Sequence, residues 1–216
     1  MVVLSVIAPC AALFGYKFFN ESEIEAKRST AAAPEAVKRI VQYNRNFVFS
    51  RRNVQEGRWW TAVTSMFAHH DLLHIFFNMS TLWSLGPSLV RTIGTSRFFF
   101  IYFGAGLVGN WLQWEWWKKD VSPYRDAGAV GASGCLFGLV GTMTYMMPTS
   151  KVYVFFIPLK IWQASVGIGA LSIASLQNDW LPGFGHAAHL GGLLFGGAST
   201  LILARTGRLL PIRRFR

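Results

Sequence analysis

Three short segments of this chain combine polar side chains in patterns that could do chemistry, and each lies within or beside a long apolar run. In the first segment, His74 and Asn78 are four residues apart and share one face of a helix, with His70 one turn before them on that face. His69 falls at the mouth of the same helix. Ionisable groups within a bilayer are costly and usually face an interior cavity, so this set indicates a functional site that water can reach.

Two other interpretations of the first segment stay open from the residues alone. Interfacial histidines can be satisfied by ordinary hydrogen bonds, and an intramembrane asparagine such as Asn78 can join two helices. His70 and His74 also have the i, i+4 spacing of a zinc-binding helix, but the glutamate that would activate a bound water is missing between them. We therefore predict no metal site and no cofactor.

The second segment places Ser133 between Gly131 and Gly134, where the fourth apolar run opens. Glycine lets the backbone approach a substrate or a neighbouring helix closely. A serine at the start of a helix sits among unpaired backbone N–H groups at the positive end of the helix dipole, which suits a tetrahedral oxyanion. A capping serine in a glycine-packed helix is the alternative interpretation, because Gly-x-Ser-Gly alone is weak evidence.

The third segment opens the last apolar run. Gly192 and Gly196 form a small-xxx-small face on which another helix can pack, and His189 projects from that face because it lies three residues before Gly192. The natural partner is the glycine-rich face of the Ser133 helix, which carries Gly134, Gly138 and Gly141. This pairing predicts that His189 lies over Ser133.

The expected chemistry of Ser133 and His189 is nucleophilic catalysis. A serine hydroxyl is a weak nucleophile at neutral pH and needs an adjacent base to take its proton. His189 is the best placed base, and the last apolar run has no carboxylate to orient it, since Asp179 lies ten residues earlier. The sequence therefore predicts a Ser/His dyad rather than a triad, with the base held by helix packing and ring stacking.

The composition shows which elements must position these residues. Of the 216 residues, 52% are hydrophobic and 14% are charged, against about 25% charged in soluble proteins. The net charge of +11 would suit nucleic acid in a soluble protein. However, the one large polar segment, residues 20–58, mixes acids with bases and lacks an interleaved basic and aromatic stripe. We therefore predict a membrane protein whose partner includes the lipid bilayer and excludes nucleic acid.

Six apolar runs are long enough to cross a bilayer, or nearly so. They cover residues 2–19, 72–90, 98–117, 130–147, 161–176 and 186–204. The predicted fold is an all-α membrane protein, a bundle of six transmembrane helices with a polar first loop. Its predicted parts are a first helix, a polar loop region, the remaining five-helix core and a basic tail, at residues 1–19, 20–71, 72–204 and 205–216.

Smaller features refine this organisation. One amphipathic helix is expected at residues 34–43 of the polar loop. The apolar run at residues 152–157 is expected to form a re-entrant or interfacial piece before a short fifth helix, which we expect to act as a moving gate. Cys10 and Cys135 lie in separate apolar runs and predict no disulfide framework. The first run has no basic residues before it, as a secretory leader would, and so predicts a membrane anchor. The chain is expected to be a shortened form, a processed form or a fragment.

Taken together, the three segments resemble the rhomboid intramembrane serine proteases. The motifs His69-x4-His74-x3-Asn78, Gly131-Ala-Ser-Gly and Ala188-His-x2-Gly-x3-Gly match in order, spacing and helix placement, over residues 58–200. The run Asn78-Met-Ser-Thr-Leu-Trp-Ser and the run His186-Ala-Ala-His-Leu-Gly-Gly are similar to the mitochondrial, presenilin-associated branch of that family.

The resemblance implies a six-helix bundle around a water-filled cavity in the mitochondrial inner membrane. It implies that Ser133 is the nucleophile and His189 the general base, and that His74 and Asn78 help to bind the oxyanion at the helix start of Ser133. The remaining positions divide into residues that line and support the site, His69, Gly131, Gly134 and Phe137, and residues that pack helices, Gly138, Gly192 and Gly196. Substrates would be transmembrane proteins, and the oligomeric state stays open.

The chain departs from the family pattern at several points. The first loop reads Arg58-Trp59 where the family usually has the reverse order, which puts the loop's arginine anchor in doubt. Phe137 stands where many members have tyrosine, and its ring can still support an imidazole. The mitochondrial branch also tends to have an additional helix before the core.

Two other functions stay open. One is a catalytically silent rhomboid-like protein that binds or escorts membrane clients, although such relatives typically lose the serine or the histidine and this chain has both. The other is a polytopic transporter or metal site, which the lack of repeated halves disfavours. With six spans, both ends of the chain lie on the same side of the membrane. The predicted loops on that side carry basic residues without acids, which places the tail on the matrix or cytosolic side.

Overall fold

The structure, a computed structural model, describes residues 1–27, 33–119, 128–154, 157–178, 180 and 184–209. The chain divides into two compact units, one formed by Met1–Ser80 with Ser122–Ala132 and the other by Thr81–Val121 with Ser133–Arg216. Three sequence-based predictions concern residues outside the described ranges. They are the part of the gate region at Phe155 and Phe156, the remote carboxylate of Asp179, and most of the basic tail, residues 210–216.

The described residues are mostly helical. The helices are α1 (Leu4–Ala26), α2 (Ala33–Phe47), α3 (Arg51–Gln55), α4 (Thr61–Thr64), α5 (Leu72–Ile93), α6 (Thr95–Trp117), α7 (Ser133–Met146), α8 (Ile161–Asn178) and α9 (His186–Arg205), with a 3₁₀ turn at Ser65–Phe67. The strands are β1 (Phe49–Ser50), β2 (Gly128–Ala129), β3 (Lys151–Val154) and β4 (Ile157–Lys160). The two short antiparallel pairs, β1 with β2 and β3 with β4, are an addition to the predicted all-α fold.

Six of these helices, α1 and α5 to α9, lie at the six predicted apolar runs. Within the described ranges, α9 is the one helix that is both long enough and apolar enough to cross a membrane by length and composition. The chain is an all-α membrane protein in its main elements, and the count of six spans stays a prediction.

In the first unit, α2 packs on the polar end of α1. The Asn20 side chain is buried and accepts a hydrogen bond from Arg39. Arg39 also forms an ion pair with Glu23, 2.5 Å between nitrogen and oxygen. Tyr43 on α2 stacks on Tyr16 of α1, with 6.3 Å between ring centroids. The amphipathic helix expected at residues 34–43 therefore exists and continues to Phe47.

The segment after β1 is held by a buried arginine, although its sequence order departs from the family pattern. Arg58 is 8% exposed and donates from Nε to Asn53 Oδ1 at 2.8 Å. The Asn53 amide in turn donates to the carbonyl oxygens of Asn44 and Val48, at 2.9 and 2.6 Å. The guanidinium also pairs with Glu56. Arg58 thus anchors this loop through a satisfied polar network.

In the second unit, α9 packs against α7 at backbone distance. A Cβ atom added at Gly192 would overlap the carbonyl oxygen of Gly134, and one added at Gly196 would overlap that of Gly138. Only glycine leaves room for this approach, as in small-xxx-small helix pairs. The contact fixes the rotation of α9 about its axis relative to α7.

The segment between α7 and α8 forms a hairpin. The strands β3 and β4 pair in register, with Lys151 opposite Lys160 and Val152 opposite Leu159. This hairpin occupies the place of the expected re-entrant or interfacial piece. Next to it, α7 and α8 are joined by a hydrogen bond between Thr144 Oγ1 and Ser165 Oγ, 2.5 Å apart.

Candidate active site

The first turn of α7 begins at Ser133, so the backbone N–H groups at this position have no partner within the helix. Gly134 follows, and a Cβ atom there would lie 3.6 Å from the carbonyl oxygen of Ala188 on α9. The small residue after the serine therefore lets the start of α9 lie close to the serine backbone.

Ser133 and His189 meet directly. The distance between Ser133 Oγ and His189 Nε2 is 2.8 Å, and both residues are half-buried. This distance lies within about 2.6–3.2 Å, the hydrogen-bond reach that a general base needs. The arrangement can transfer the hydroxyl proton to the imidazole when an electrophile approaches the oxygen.

The imidazole of His189 is supported by aromatic rings. The Phe137 ring lies 4.5 Å from the His189 ring, centroid to centroid, at an interplanar angle of 47°. Phe137 is four residues after Ser133 and thus on the same face of α7. The ring of His186 stands edge-on to that of His189, with 6.3 Å between their centroids. Ring contacts therefore restrict the orientation of this imidazole.

No third, acidic member accompanies this pair within the described part of the second unit. Its one described carboxylate, Glu115, forms an ion pair with Lys118 at 2.7 Å near the end of α6. Among all described residues, no cluster of three or more His, Cys, Asp or Glu side chains could hold a metal ion.

The first unit holds the other predicted polar residues at the start of α5. The Asp71 carboxylate caps this helix by accepting the backbone N–H of His74 at 2.8 Å. The backbone N–H of His70 donates to His74 Nδ1 at 3.4 Å, which leaves Nε2 to carry the ring proton. The ring of His69 is buried and stands edge-on to that of His74, with 5.1 Å between centroids.

The prediction for His70 was wrong in one respect. It was expected one turn before His74 on the same helix face, but α5 begins at Leu72 and the His70 side chain is 82% exposed beside Asp71. An aspartate that caps a helix ends the helical geometry before it, so the residue preceding Asp71 lies outside the helix. The sequence Asp71-x-x-His74 is the signal that would have shown this boundary.

Gly131 shapes the site through its backbone. Its φ of +125° is a conformation that side chains rarely permit, and its N–H donates to the Ser65 carbonyl oxygen at 2.9 Å. A Cβ atom here would lie 2.6 Å from His74 Nε2. Glycine is therefore required both for the turn and for the space beside the imidazole.

Asn78 is buried, 6% exposed, and its Nδ2 has no hydrogen-bond partner within the described residues. An unpartnered buried amide costs free energy, and most buried polar groups in native proteins are paired. The amide is thus a donor available to a bound water or ligand.

Two site-related residues escaped the sequence analysis because the third apolar run was treated as plain membrane helix. Gln113 on α6 is buried, and its Oε1 accepts the backbone N–H of Ala188 at 3.3 Å. Gly109, one turn earlier, contacts the same residue, since a Cβ atom there would lie 2.6 Å from the Ala188 carbonyl oxygen. No local pattern marks either contact, because both residues lie more than 70 positions before Ala188.

Comparison with known proteins gives a consistent result. The sequence model of the Rhomboid domain matches residues 56–206 of this chain. Rhomboid protein 1, mitochondrial, of Saccharomyces cerevisiae is 35% identical over 136 residues, which are 62% of this chain and 39% of the yeast protein. Presenilin-associated rhomboid-like protein, mitochondrial, of Homo sapiens is 32% identical over 135 residues, 61% of this chain and 35% of the human protein.

A bacterial protein is also similar. Rhomboid protease GluP of Bacillus subtilis is 30% identical over 163 residues, which are 71% of this chain and 28% of the bacterial protein. This chain therefore spans less than two-fifths of the length of the relatives it matches. The matched region contains all three polar segments, from His69 to Gly196.

Proposed function

Because this chain belongs to the rhomboid family, we propose that it is an intramembrane serine protease that uses Ser133 and His189 to hydrolyse peptide bonds in or near transmembrane segments of membrane-protein substrates. The chain is of the mitochondrial branch and is a multi-pass protein of the mitochondrial inner membrane. The observation that carries the proposal is the 2.8 Å distance between Ser133 Oγ and His189 Nε2.

The proposed reaction proceeds in two halves. Ser133 Oγ attacks the scissile carbonyl carbon while its proton passes to His189 Nε2, and the resulting imidazolium gives that proton to the departing amine. Water then attacks the acyl-serine ester while His189 takes one of its protons, and the imidazolium returns that proton to Ser133 Oγ as the ester bond breaks and the acid product leaves. The ring of Phe137, tilted by 47° and 4.5 Å away, supports the imidazole during both transfers.

The tetrahedral intermediate requires hydrogen-bond donors for its oxyanion. We propose three: the backbone N–H of Ser133 at the start of α7, the Nε2–H of His74 and the Nδ2–H of Asn78. The unpartnered amide of buried Asn78 supports this role, because its donors are not used by the described protein groups. The hydrogen bond from His70 N–H to His74 Nδ1 supports the tautomer that carries its proton on Nε2.

The proposal includes six membrane spans, formed by α1 and α5 to α9, and substrates that enter sideways. A transmembrane helix hides its scissile carbonyl in its own hydrogen bonds, so substrates with helix-breaking or small residues should be cleaved faster. We propose α8 as the moving gate. Its exposed Trp162 is the described side chain to replace in testing that role, since a smaller residue should raise turnover.

The test is incubation of the purified chain, in detergent, with a model transmembrane substrate, comparing wild type with Ser133→Ala. We expect a discrete cleavage product from wild type alone, unaffected by EDTA. A folded wild type that binds the substrate, cuts nothing and does not react with a fluorophosphonate would instead support a silent client-binding protein and would overturn the proposal.

A further inference from the structure

We infer that Gln113 is a positioning residue for His189, because its side-chain carbonyl caps the first turn of α9 from the neighbouring helix α6. The inference rests on the proposed function for its catalytic consequence. The cap itself is a structural feature that can be tested independently.

The start of α9 lacks a cap from its own sequence. The residue at the N-cap position is Gly185, which has no side chain to accept the N–H groups of the first turn. A helix start leaves these N–H groups without partners, and a polar side chain normally satisfies one of them. Gln113 does so at Ala188, with Oε1 3.3 Å from the backbone nitrogen in a buried environment. The cap thus comes from a residue 75 positions earlier.

The other side of the same residue is also held. The Ala188 carbonyl faces Gly109 on α6, where a Cβ atom would lie 2.6 Å away, and Gly134 on α7, where it would lie 3.6 Å away. Gly109 and Gln113 are one turn apart on α6, so a single face of that helix contacts both the N–H and the C=O of Ala188. The carbonyl of Ala188 belongs to the peptide bond that leads directly into His189.

The contacts of Gln113 and Gly109 with Ala188 explain how His189 can be held in position without a third catalytic residue. A triad uses a carboxylate to hold the imidazole, and the described part of this unit offers none near His189. With the ring supported by Phe137 and the backbone fixed at Ala188, the base keeps its distance to Ser133 through neutral groups. A displacement of about 1 Å at a catalytic group can cost about a hundredfold in rate. The position of the Ala188 peptide is therefore a determinant of turnover.

The test uses two substitutions at Gln113 and one matched control. Gln113→Met keeps the length of the side chain and removes the acceptor, whereas Gln113→Glu keeps an acceptor. Gln163→Met is the control, because Gln163 Oε1 is also a glutamine oxygen that accepts a backbone N–H, that of Lys160 just before the start of α8, at 2.9 Å.

In cleavage assays we expect Gln113→Met to lower kcat by at least about tenfold with little change in KM. Gln113→Glu should keep most of the activity, with the acid limb of its pH profile moved to higher pH because a nearby carboxylate favours the imidazolium. Gln163→Met should show no such loss of kcat. A fully active Gln113→Met, or equal losses in Gln113→Met and Gln163→Met, would overturn the inference.

Amide hydrogen exchange decides the cap even if the chain cleaves nothing. We expect the Ala188 amide of the wild-type chain to exchange more slowly than that of its neighbour Ala187 and to lose this protection in Gln113→Met but not in Gln163→Met. An unprotected Ala188 amide in wild type refutes the cap, whether or not Gln113→Met folds. A protected Ala188 amide in a wild-type chain that cleaves nothing would support the cap and refute the protease proposal instead.

Discussion

The two histidines with proposed catalytic roles are held in different ways. His189 meets Ser133 through Nε2, and its ring contacts the ring of Phe137 at a tilt and that of His186 edge-on, so ring contacts restrain it. His74 is held through hydrogen bonds, with its backbone N–H on Asp71 and its Nδ1 on the backbone N–H of His70.

The difference corresponds to two kinds of chemical work. A base gains and loses a proton in each cycle, and contacts between ring faces and edges can hold it without taking up the nitrogen that carries this proton. An oxyanion donor must keep its proton in one place, and the hydrogen bond to Nδ1 fixes that tautomer. Four predictions test this division, from the largest effect to the smallest, and a fifth concerns the loop of the first unit.

Removing either member of the dyad should abolish cleavage. We expect Ser133→Ala and His189→Ala each to fall below about one thousandth of wild-type kcat, and the double variant to be no worse, since residues that act as one unit are strongly non-additive. Cys135→Ala is the control, because Cys135 is buried two residues beyond the nucleophile and points away from it. An inactive Cys135→Ala beside an active Ser133→Ala would reverse the assignment.

The second prediction concerns the surroundings of His74, which the variant Gly131→Ala should disturb. The variant forces a side chain into a φ of +125° and brings its Cβ atom within 2.6 Å of His74 Nε2. We expect a loss of about 1–3 kcal/mol in the free energy of unfolding and at least about a hundredfold in kcat. Gly167→Ala, in open space on α8, is the matched control and should be as stable as wild type or more so. Comparable losses in both variants would contradict this account.

Asn78→Ala should separate activity from stability. We expect kcat to fall by about a hundredfold, with no loss of thermal stability because the deleted amide has no described partner for Nδ2. The control is Asn53→Ala, an equally buried amide with three hydrogen bonds, which should lose about 2 kcal/mol or more of stability. A strongly destabilised Asn78→Ala with normal kcat in its folded fraction would mark Asn78 as structural.

The fourth prediction tests how far the ring contact with Phe137 holds His189 in position. Phe137→Ala removes the surface 4.5 Å from the imidazole and should lower kcat by about tenfold while Ser133 keeps reacting slowly with a fluorophosphonate. Phe137→Tyr keeps the ring and should stay within about twofold of wild type. If Phe137→Ala matches wild type in both assays, ring support is not needed.

The smallest effect concerns the loop of the first unit at low pH. Hydrogen bonds from Arg52 and Arg58 lower the pKa of Glu56 to about 2. A carboxyl whose pKa is depressed on folding stabilises the fold above its unfolded pKa, near 4.5, and loses that contribution as pH falls through about 2. Thermal melts of wild type and Glu56→Gln should thus converge towards pH 2. The gap at pH 7 should be small because the group is exposed, and a gap that widens below pH 4 would show the sign to be wrong.

The contact between Ser133 and His189 could be predicted from the sequence because it depends on helical periodicity. His189 lies three residues before Gly192, and a glycine face has only one kind of close partner, another small-residue face, which here carries Ser133. The positions of the long helices follow from the lengths of the apolar runs in the same way.

What escaped the sequence depends on contacts between distant segments. The cap that Gln113 gives to Ala188 joins two helices 75 residues apart, and no local pattern encodes it. The pairing of β3 with β4 was not predicted, because short apolar runs are ambiguous between helix and strand, and the interfacial location of this segment stays a prediction. Gly131 was chosen as a lining residue, whereas its function in the structure is a backbone conformation, which a sequence shows only as the letter glycine.

The close contact between α7 and α9 has a consequence for biosynthesis. Chains are made from the N-terminus, and α9 is the last described helix to leave the ribosome. Until it docks, the α7 glycines lack the Gly192–Gly196 face of α9 and Ser133 has no base, since His189 is synthesised 56 residues later. The proposed protease is therefore inert until α9 has been made and has packed against α7.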